Sequence, residues 1–381
     1  MTVAGLIFAN IHDSSLPELT ARRTMASVPF GCRYRLIDFP LSNMVNSGIS
    51  KIGVVAHNNY QSLMDHIGTG KDWDLARRSG GIKILPPFIT AYENAQARRL
   101  YSTRLEALIG VANFISRCNE DYIVFSDCDA ICNIDLSDVI ERHEKTGADV
   151  TVVTRNFEHS ERFRPEDVYS IKTDSNNIIT DISTLAAVGA VKKKQIQIST
   201  NIMVFNRIYL LGLINDATAR GYTDFYRDVL CKVMKKGNTY AYHFDGFFLR
   251  ITSLESYFSS SMQLLGEEAR YGLTGVENRP IYTKVRNSAP TIYKLKSMTV
   301  NSYIADGCEI EGSVENSIIF RGVRIGKGAV VKNSILLQDT FIGDGVQLNC
   351  VVTDKNVVIK DGRILSGYVT MPFFISKGTV I

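Results

Sequence analysis

The chain has 381 residues, enough for two domains with separate cores, and its 45% hydrophobic and 22% charged residues are those of an ordinary globular protein. A net charge of +4, with no basic run interleaved with aromatics, excludes a dedicated nucleic-acid binder, and no apolar stretch is long enough to span a bilayer. Seven scattered cysteines and an N-terminus without a signal-peptide pattern fit packing thiols in a reducing cytoplasm rather than a disulfide framework.

Val3 to Phe8 reads as a buried strand, and the loop after it is closed by Arg22 and Arg23. A strand, a loop and a basic pair suggest a phosphate site. Backbone amides approach a phosphate closely only where side chains are absent, yet no glycine lies between Phe8 and Arg22. "KIGVVA" (51–56) and "DYIVFS" (121–126) are apolar runs typical of strands covered on both faces. "DLSDVIERHEKTG" predicts a helix with Leu136, Val139, Ile140 and His143 on one face and Gly147 as its stop, and "DVTVVT" returns as a strand. "DFYRDVLCKVMKKG" repeats the helical pattern, with Phe225, Val229, Leu230 and Val233 inward and Gly237 at its end. This alternation over residues 1–274 predicts an α/β domain with a mainly parallel sheet, its chemistry beyond the C-terminal ends of the strands. Cys128 and Cys132 are close, but no second pair of Cys or His completes a zinc site.

A stretch with prolines and charges, residues 275–298, reads as a linker. From residue 299 the pattern changes. Ile-x-x-Gly recurs at Ile325, Ile342 and Ile359 in steps of seventeen, and Asn-Ser/Cys-Ile/Val recurs at Asn316, Asn333 and Asn349. Short β segments about six residues apart, three to a turn, predict a parallel β-helix over 299–381, filled by Ile304, Ile310, Ile319, Ile325, Val331, Ile342 and Leu348.

"VPFGCRYRLIDFPLSNMVNSGISKIGVV" (28–55) resembles the N-terminal region of the ADP-glucose pyrophosphorylase (glucose-1-phosphate adenylyltransferase) family. Phe30, Gly31, Tyr34, Arg35, Ile37, Asp38, Phe39, Leu41, Ser42, Asn43, Asn46, Ser47, Gly48 and Ile49 carry the likeness, which continues through "TDFYRDVL", "SLESY" and the repeats. It implies a Rossmann-like nucleotidyltransferase domain followed by a left-handed β-helix of hexapeptide repeats. It also implies a tetramer that joins glucose 1-phosphate to ATP and releases pyrophosphate, with Mg²⁺ held by two aspartates.

Against that pattern this chain departs repeatedly. The family's glycine-rich loop is replaced by "FANIHDSSLPEL", and Thr24 and Met25 stand where its lysine would fall. A methionine supplies no charge for phosphate. Asp129 falls at the first metal aspartate, with Asp127 two residues away as a possible substitute, whereas Arg250 falls at the second. A guanidinium is no Mg²⁺ ligand, and at 4 Å it would repel the ion by about 8 kcal/mol in an effective dielectric near 20. The Glu-Lys-Pro sugar-phosphate triplet is missing, and "LYSTRLEAL" replaces the family's Gly-Thr-Ala-Asp-Ala run. Lys192 to Lys194 form a basic run, read as a solvated loop or a replacement site.

Asp129 and Arg250 are therefore vestigial catalytic positions, and the chain is expected to need no metal of its own, Mg²⁺ belonging to a catalytic partner. This resembles the GlgD-type subunit of the family. The resemblance implies a regulatory role in bacterial glycogen synthesis, within homo- or hetero-oligomers (tetramers) containing a catalytic ADP-glucose pyrophosphorylase subunit. Arg23, Arg33 and Arg35 are the candidates for a phosphate or a sugar-phosphate or nucleotide effector. Two bland alternatives stay open, a solvated Arg23 and an Arg35 paired with Asp38. A weakly active enzyme using Asp127 and Asp129 is the second functional reading. A hexapeptide acyltransferase with a β-helix histidine is excluded, because the last histidine is His243.

Overall fold

The structure is a computed structural model and describes residues 2–87, 101–157, 166, 168–188 and 196–381. Besides a short antiparallel pair, Pro29–Phe30 with Tyr34–Arg35, the described residues of the first domain hold eleven strands: β1 (Val3–Phe8), β2 (Lys51–Val55), β3 (Gly81–Leu85), β4 (Tyr122–Asp127), β5 (Ala130–Cys132), β6 (Val150–Phe157), β7 (Tyr169–Thr173), β8 (Ile179–Thr184), β9 (Ile196–Asn206), β10 (Thr239–His243) and β11 (Phe248–Arg250). The main sheet runs β8-β7-β9-β4-β1-β2-β3, and β6 pairs with both β9 and β10.

From β4 through β1 and β2 to β3 the pairing is parallel, as the alternation of strands and helices predicts. Beyond β4 the expectation of a mainly parallel sheet is corrected: β9 is antiparallel to β4, β6 and β7, and β7 to β8. β1 explains why no polar alternation appears in the sequence. Ile7 packs into the cluster on one face, while Ala4, Leu6 and Phe8 pack into the cluster on the other. Leu6, Ile7 and Phe8 each contribute roughly 1.5–3 kcal/mol by burial.

The expected helix spans Leu136–Thr146, with Leu136, Val139, Ile140 and His143 buried and Gly147 at φ 60° ending it. The second amphipathic stretch is a π-helical turn, Phe225–Leu230, running into a short α turn, Cys231–Val233. Phe225, Val229, Leu230 and Val233 are buried there as expected. Asp224 caps it by accepting from the Arg227 N–H at 2.6 Å.

The second domain is a parallel β-helix of three five-stranded sheets. It takes in Ile292–Tyr293, within the stretch read as linker, and Met298–Val300, which begins on that stretch's last residue. Ile310, Ile325, Ile342 and Ile359 lie in register up one sheet, and the last three are the structural form of the seventeen-residue step. Each coil turns at a residue with positive φ: Gly328, Gly345 and Gly362 at one corner, Asn316 and Asn333 at another. Asn316 Nδ2 donates to Asn333 Oδ1 at 2.7 Å, and Asn333 Nδ2 to Asn349 Oδ1 at 2.9 Å, so the side chains form an amide ladder.

The third sheet is apolar on both faces. Ile319 and Leu336 fill the β-helix, while Ile318, Phe320, Ile335, Leu337 and Val352 join the cluster containing Phe30 and Tyr257 of the first domain. The two domains thus share one core. Among the described residues no helix is long and apolar enough to cross a membrane.

Candidate functional site

Phe8 and Asp127 are register partners at the C-terminal ends of β1 and β4, so the loops after both strands converge there. The first loop fills its own space. Asp13 Oδ1 accepts the Met25 N–H at 2.6 Å, Asn10 Nδ2 donates to Asp13 Oδ2 at 2.5 Å, and Asn10 Oδ1 accepts the His57 N–H at 2.9 Å. Leu16, Leu19 and Met25 are buried in the core below. Side chains now take hydrogen bonds that open amides would offer a phosphate.

Beyond β4, Asp127 and Asp129 are both buried. β11 pairs antiparallel with β5, placing Arg250 opposite Ala130 and beside Asp129. Arg250 Nε donates to Asp129 Oδ2 at 3.0 Å, its Nη1 donates to the Ser199 carbonyl at 3.0 Å, and both ionic side chains are 1% exposed. Asp127 is held in the same way. Arg104 Nη2 donates to its Oδ2, and His12 Nε2 lies 2.7 Å from that oxygen and 3.6 Å from Asp129 Oδ2. Burial alone would push the Asp127 carboxyl up, but Arg104, His12 and Arg250 hold it below its ordinary range. Burial works against a charged His12, and Asp129 and Asp127 outweigh it, so its imidazole is raised.

The ligand atoms of His12, Asp127 and Asp129 lie within 4.8 Å of one another, a spacing that could hold a metal ion. The charge does not fit one. Two guanidinium groups already answer two carboxylates, leaving no excess negative charge for Mg²⁺, and arginine offers it no oxygen. The expected vestigial pair, Asp129 and Arg250, is thus brought into direct contact.

Arg104 went unread in the sequence. It is the first residue of the helix Arg104–Gly110, opened by a Thr103/Glu106 capping box. A cation at a helix N-terminus opposes the helix dipole, so an arginine there signals a carboxylate elsewhere. Its guanidinium lies 5.6 Å from the ring centres of both Phe8 and Tyr226.

The other candidates lie at the domain junction. Arg23 is neither a solvated surface residue nor turned to the first loop. It is buried, and its Nη2 donates to both carboxylate oxygens of Asp354 in the β-helix at 2.8 Å. Arg35 does not pair its guanidinium with Asp38. Its backbone N–H donates to Asp38 Oδ2 at 2.9 Å, its Nη1 donates to the Ser62 carbonyl at 2.6 Å, and Asp38 Oδ1 lies 2.6 Å from His66 Nε2. Arg33 is exposed over the Tyr34 ring.

Arg33 and Arg35 nevertheless meet. Both line a cleft of about 230 Å³ between the domains, together with Lys284, Arg286, Arg321 and Lys355. Six basic side chains face two carboxylates, Asp306 and Asp339. Only the first two were legible, because the others come from the linker and from separate coils. Lys192 to Lys194 lie outside the described residues.

Residues 12–267 match the nucleotidyl transferase family model, and residues 290–367 match that of the GlmU-like C-terminal hexapeptide. The chain is 34% identical to the glycogen biosynthesis protein GlgD of Bacillus subtilis over 378 residues, covering 99% of this chain and 96% of that protein. It is 33% identical to glucose-1-phosphate adenylyltransferase of Thermosipho africanus over 341 residues, covering 87% and 78%. It is also 33% identical to that of Halalkalibacterium halodurans over 337 residues, covering 86% and 84%. A nucleotidyltransferase domain, a hexapeptide β-helix and coverage of more than three quarters of each of these relatives place the chain in the family of the glucose-1-phosphate adenylyltransferases and GlgD proteins.

Proposed function

We propose that this chain is a regulatory, catalytically deficient subunit of a glucose-1-phosphate adenylyltransferase, serving bacterial glycogen biosynthesis in a mixed tetramer with a catalytic subunit. The observation that carries this reading is the pair of buried ion pairs, Arg250–Asp129 and Arg104–Asp127, at the end of β1 and β4. Nucleotidyl transfer leans on metal and positive charge placed at the phosphates. Here the arginines spend their charge on the carboxylates instead. What remains is a cationic cleft suited to a sugar phosphate or nucleotide as effector.

A weakly active enzyme is the second reading, favoured by the close approach of His12, Asp127 and Asp129. Pyrophosphate release from ATP, glucose 1-phosphate and Mg²⁺ separates the two. The purified chain is expected to be silent alone, and turnover of 1 s⁻¹ or more, on the order of an ordinary enzyme, would favour the second. Mixed with a catalytic subunit, it should co-purify and change the turnover or the effector response. Failure to co-purify, with unchanged kinetics at micromolar concentrations, overturns the regulatory reading.

A further inference from the structure

One cation of the interdomain cleft lacks the counter-ion its position suggests. Lys355 follows Asp354 in sequence, and its backbone N–H donates to Asp354 Oδ1 at 2.7 Å. Both oxygens of that carboxylate, however, accept from Arg23 at 2.8 Å. Among the described residues no carboxylate forms an ion pair with Lys355 Nζ. The charged groups that act on it besides Asp354 are like charges, Arg35, Arg23 and Arg286.

The remaining walls carry further charged and titratable groups. Arg33 and Arg321 are guanidinium groups, charged throughout. Lys284 is half-buried and donates to the Asp65 carbonyl. His66 is tied to Asp38, and burial outweighs that carboxylate to push its imidazole below the ordinary range. The Tyr34 phenol is raised by burial. Of the two carboxylates, Asp306 accepts from Arg321 Nε at 2.9 Å, and Asp339 is exposed at the rim.

Building on the effector reading above, we propose that this cleft binds anions together with a proton, the proton going to Lys355 Nζ. Anion and proton each strengthen the other. Burial, and then the charges of Arg35 and Arg23, push the Lys355 ammonium down to about 7, with Asp354 offsetting them only in part. Near neutral pH a large share of this amine is therefore uncharged. A dianion among the arginines supplies the negative charge that Asp354 withholds, and the amine takes up a proton. Affinity must then fall as pH rises above 7, because each binding event has to recruit that proton from solution.

Sulfate is the probe of choice because its charge does not change between pH 6 and 9. Titration calorimetry of the full chain with sodium sulfate, in buffers of different ionisation enthalpy, reads affinity and proton uptake together. Binding is expected to weaken about 20-fold from pH 6.5 to 8.5, with about one proton taken up at pH 8. Lys355→Arg should bind sulfate with a flat pH profile and no uptake. A wild-type chain that binds sulfate without proton uptake overturns the coupling and leaves the effector cleft standing. A Lys355→Arg variant that keeps the wild-type profile also overturns it. No sulfate binding at either pH overturns the coupling and the effector reading together.

Discussion

Arg250 and Asp129 show how one residue can close a site. With both side chains 1% exposed, removing the guanidinium leaves a buried carboxylate with only His12, 3.6 Å away, to answer it. Arg250→Met should cost about 3–5 kcal/mol, read as a lower denaturant midpoint at unchanged slope. Arg250→Asp should not restore pyrophosphate release. Arg104 would still occupy Asp127 and the loop after Phe8 would still lack glycine, and contributions in such a site are not additive. Robust turnover by that single variant would mean the loop is competent after all.

Asp13 makes an opposite prediction. Burial raises its carboxyl to about 6, and the Met25 amide and Asn10 offset this only in part. A pKa raised on folding favours the folded state below about pH 4, and that contribution is lost as pH rises through 6. Asp13→Asn keeps an acceptor for the Met25 amide and sheds the buried charge. It should therefore stabilise the protein by about 1–2 kcal/mol at pH 7.5 and flatten the pH 4–6 slope. Thermal melts across that range would decide it, and a loss of stability at pH 7.5 would count against it.

At the scale of the element, the helix Leu136–Thr146 carries a buried histidine whose ring Nδ1 lies 2.8 Å from Thr151 Oγ1. Burial pushes His143 down to about 4. A base depressed on folding contributes stability that is complete above its ordinary value near 6.5 and is lost as pH falls toward 4. His143→Gln should remove that acid-side loss, measured as a melting temperature less sensitive between pH 6.5 and 4.5. The β-helix coil offers a second test. Asn333 sits at φ 45° and holds two ladder bonds, so Asn333→Ala loses amides and adds strain. Asn333→Gly loses the same bonds without the strain, and should be about 1 kcal/mol more stable than the alanine variant. Equal melting temperatures would remove the backbone part of that account.

For the whole molecule, the decisive feature is the shared core. Ile318, Phe320, Ile335, Leu337 and Val352 are buried with first-domain residues, and Arg23–Asp354 is a buried ion pair across the same junction. The two domains should therefore unfold in one calorimetric transition, and Asp354→Leu, which leaves Arg23 buried without its partner, should lower it steeply. Two well-separated wild-type transitions would contradict the common core. The same junction forms the cationic cleft, so stability and effector binding are built from one surface.

Local and periodic features were legible in the residues themselves. The strand at Val3–Phe8, the helix ended by Gly147 and the seventeen-residue step each follow from rules that act over a few residues or one repeat. Asp129 and Arg250 were legible as altered metal positions only through likeness to a family pattern, and their ion pair was not. Arg104, the Arg23–Asp354 pair and the Lys355 cleft were not legible. Their partners lie 23 and 331 residues apart, or on separate coils, and charge reaches whatever the fold brings near, regardless of sequence distance. Burial then decides what each charge does, and burial is a property of the assembled core alone.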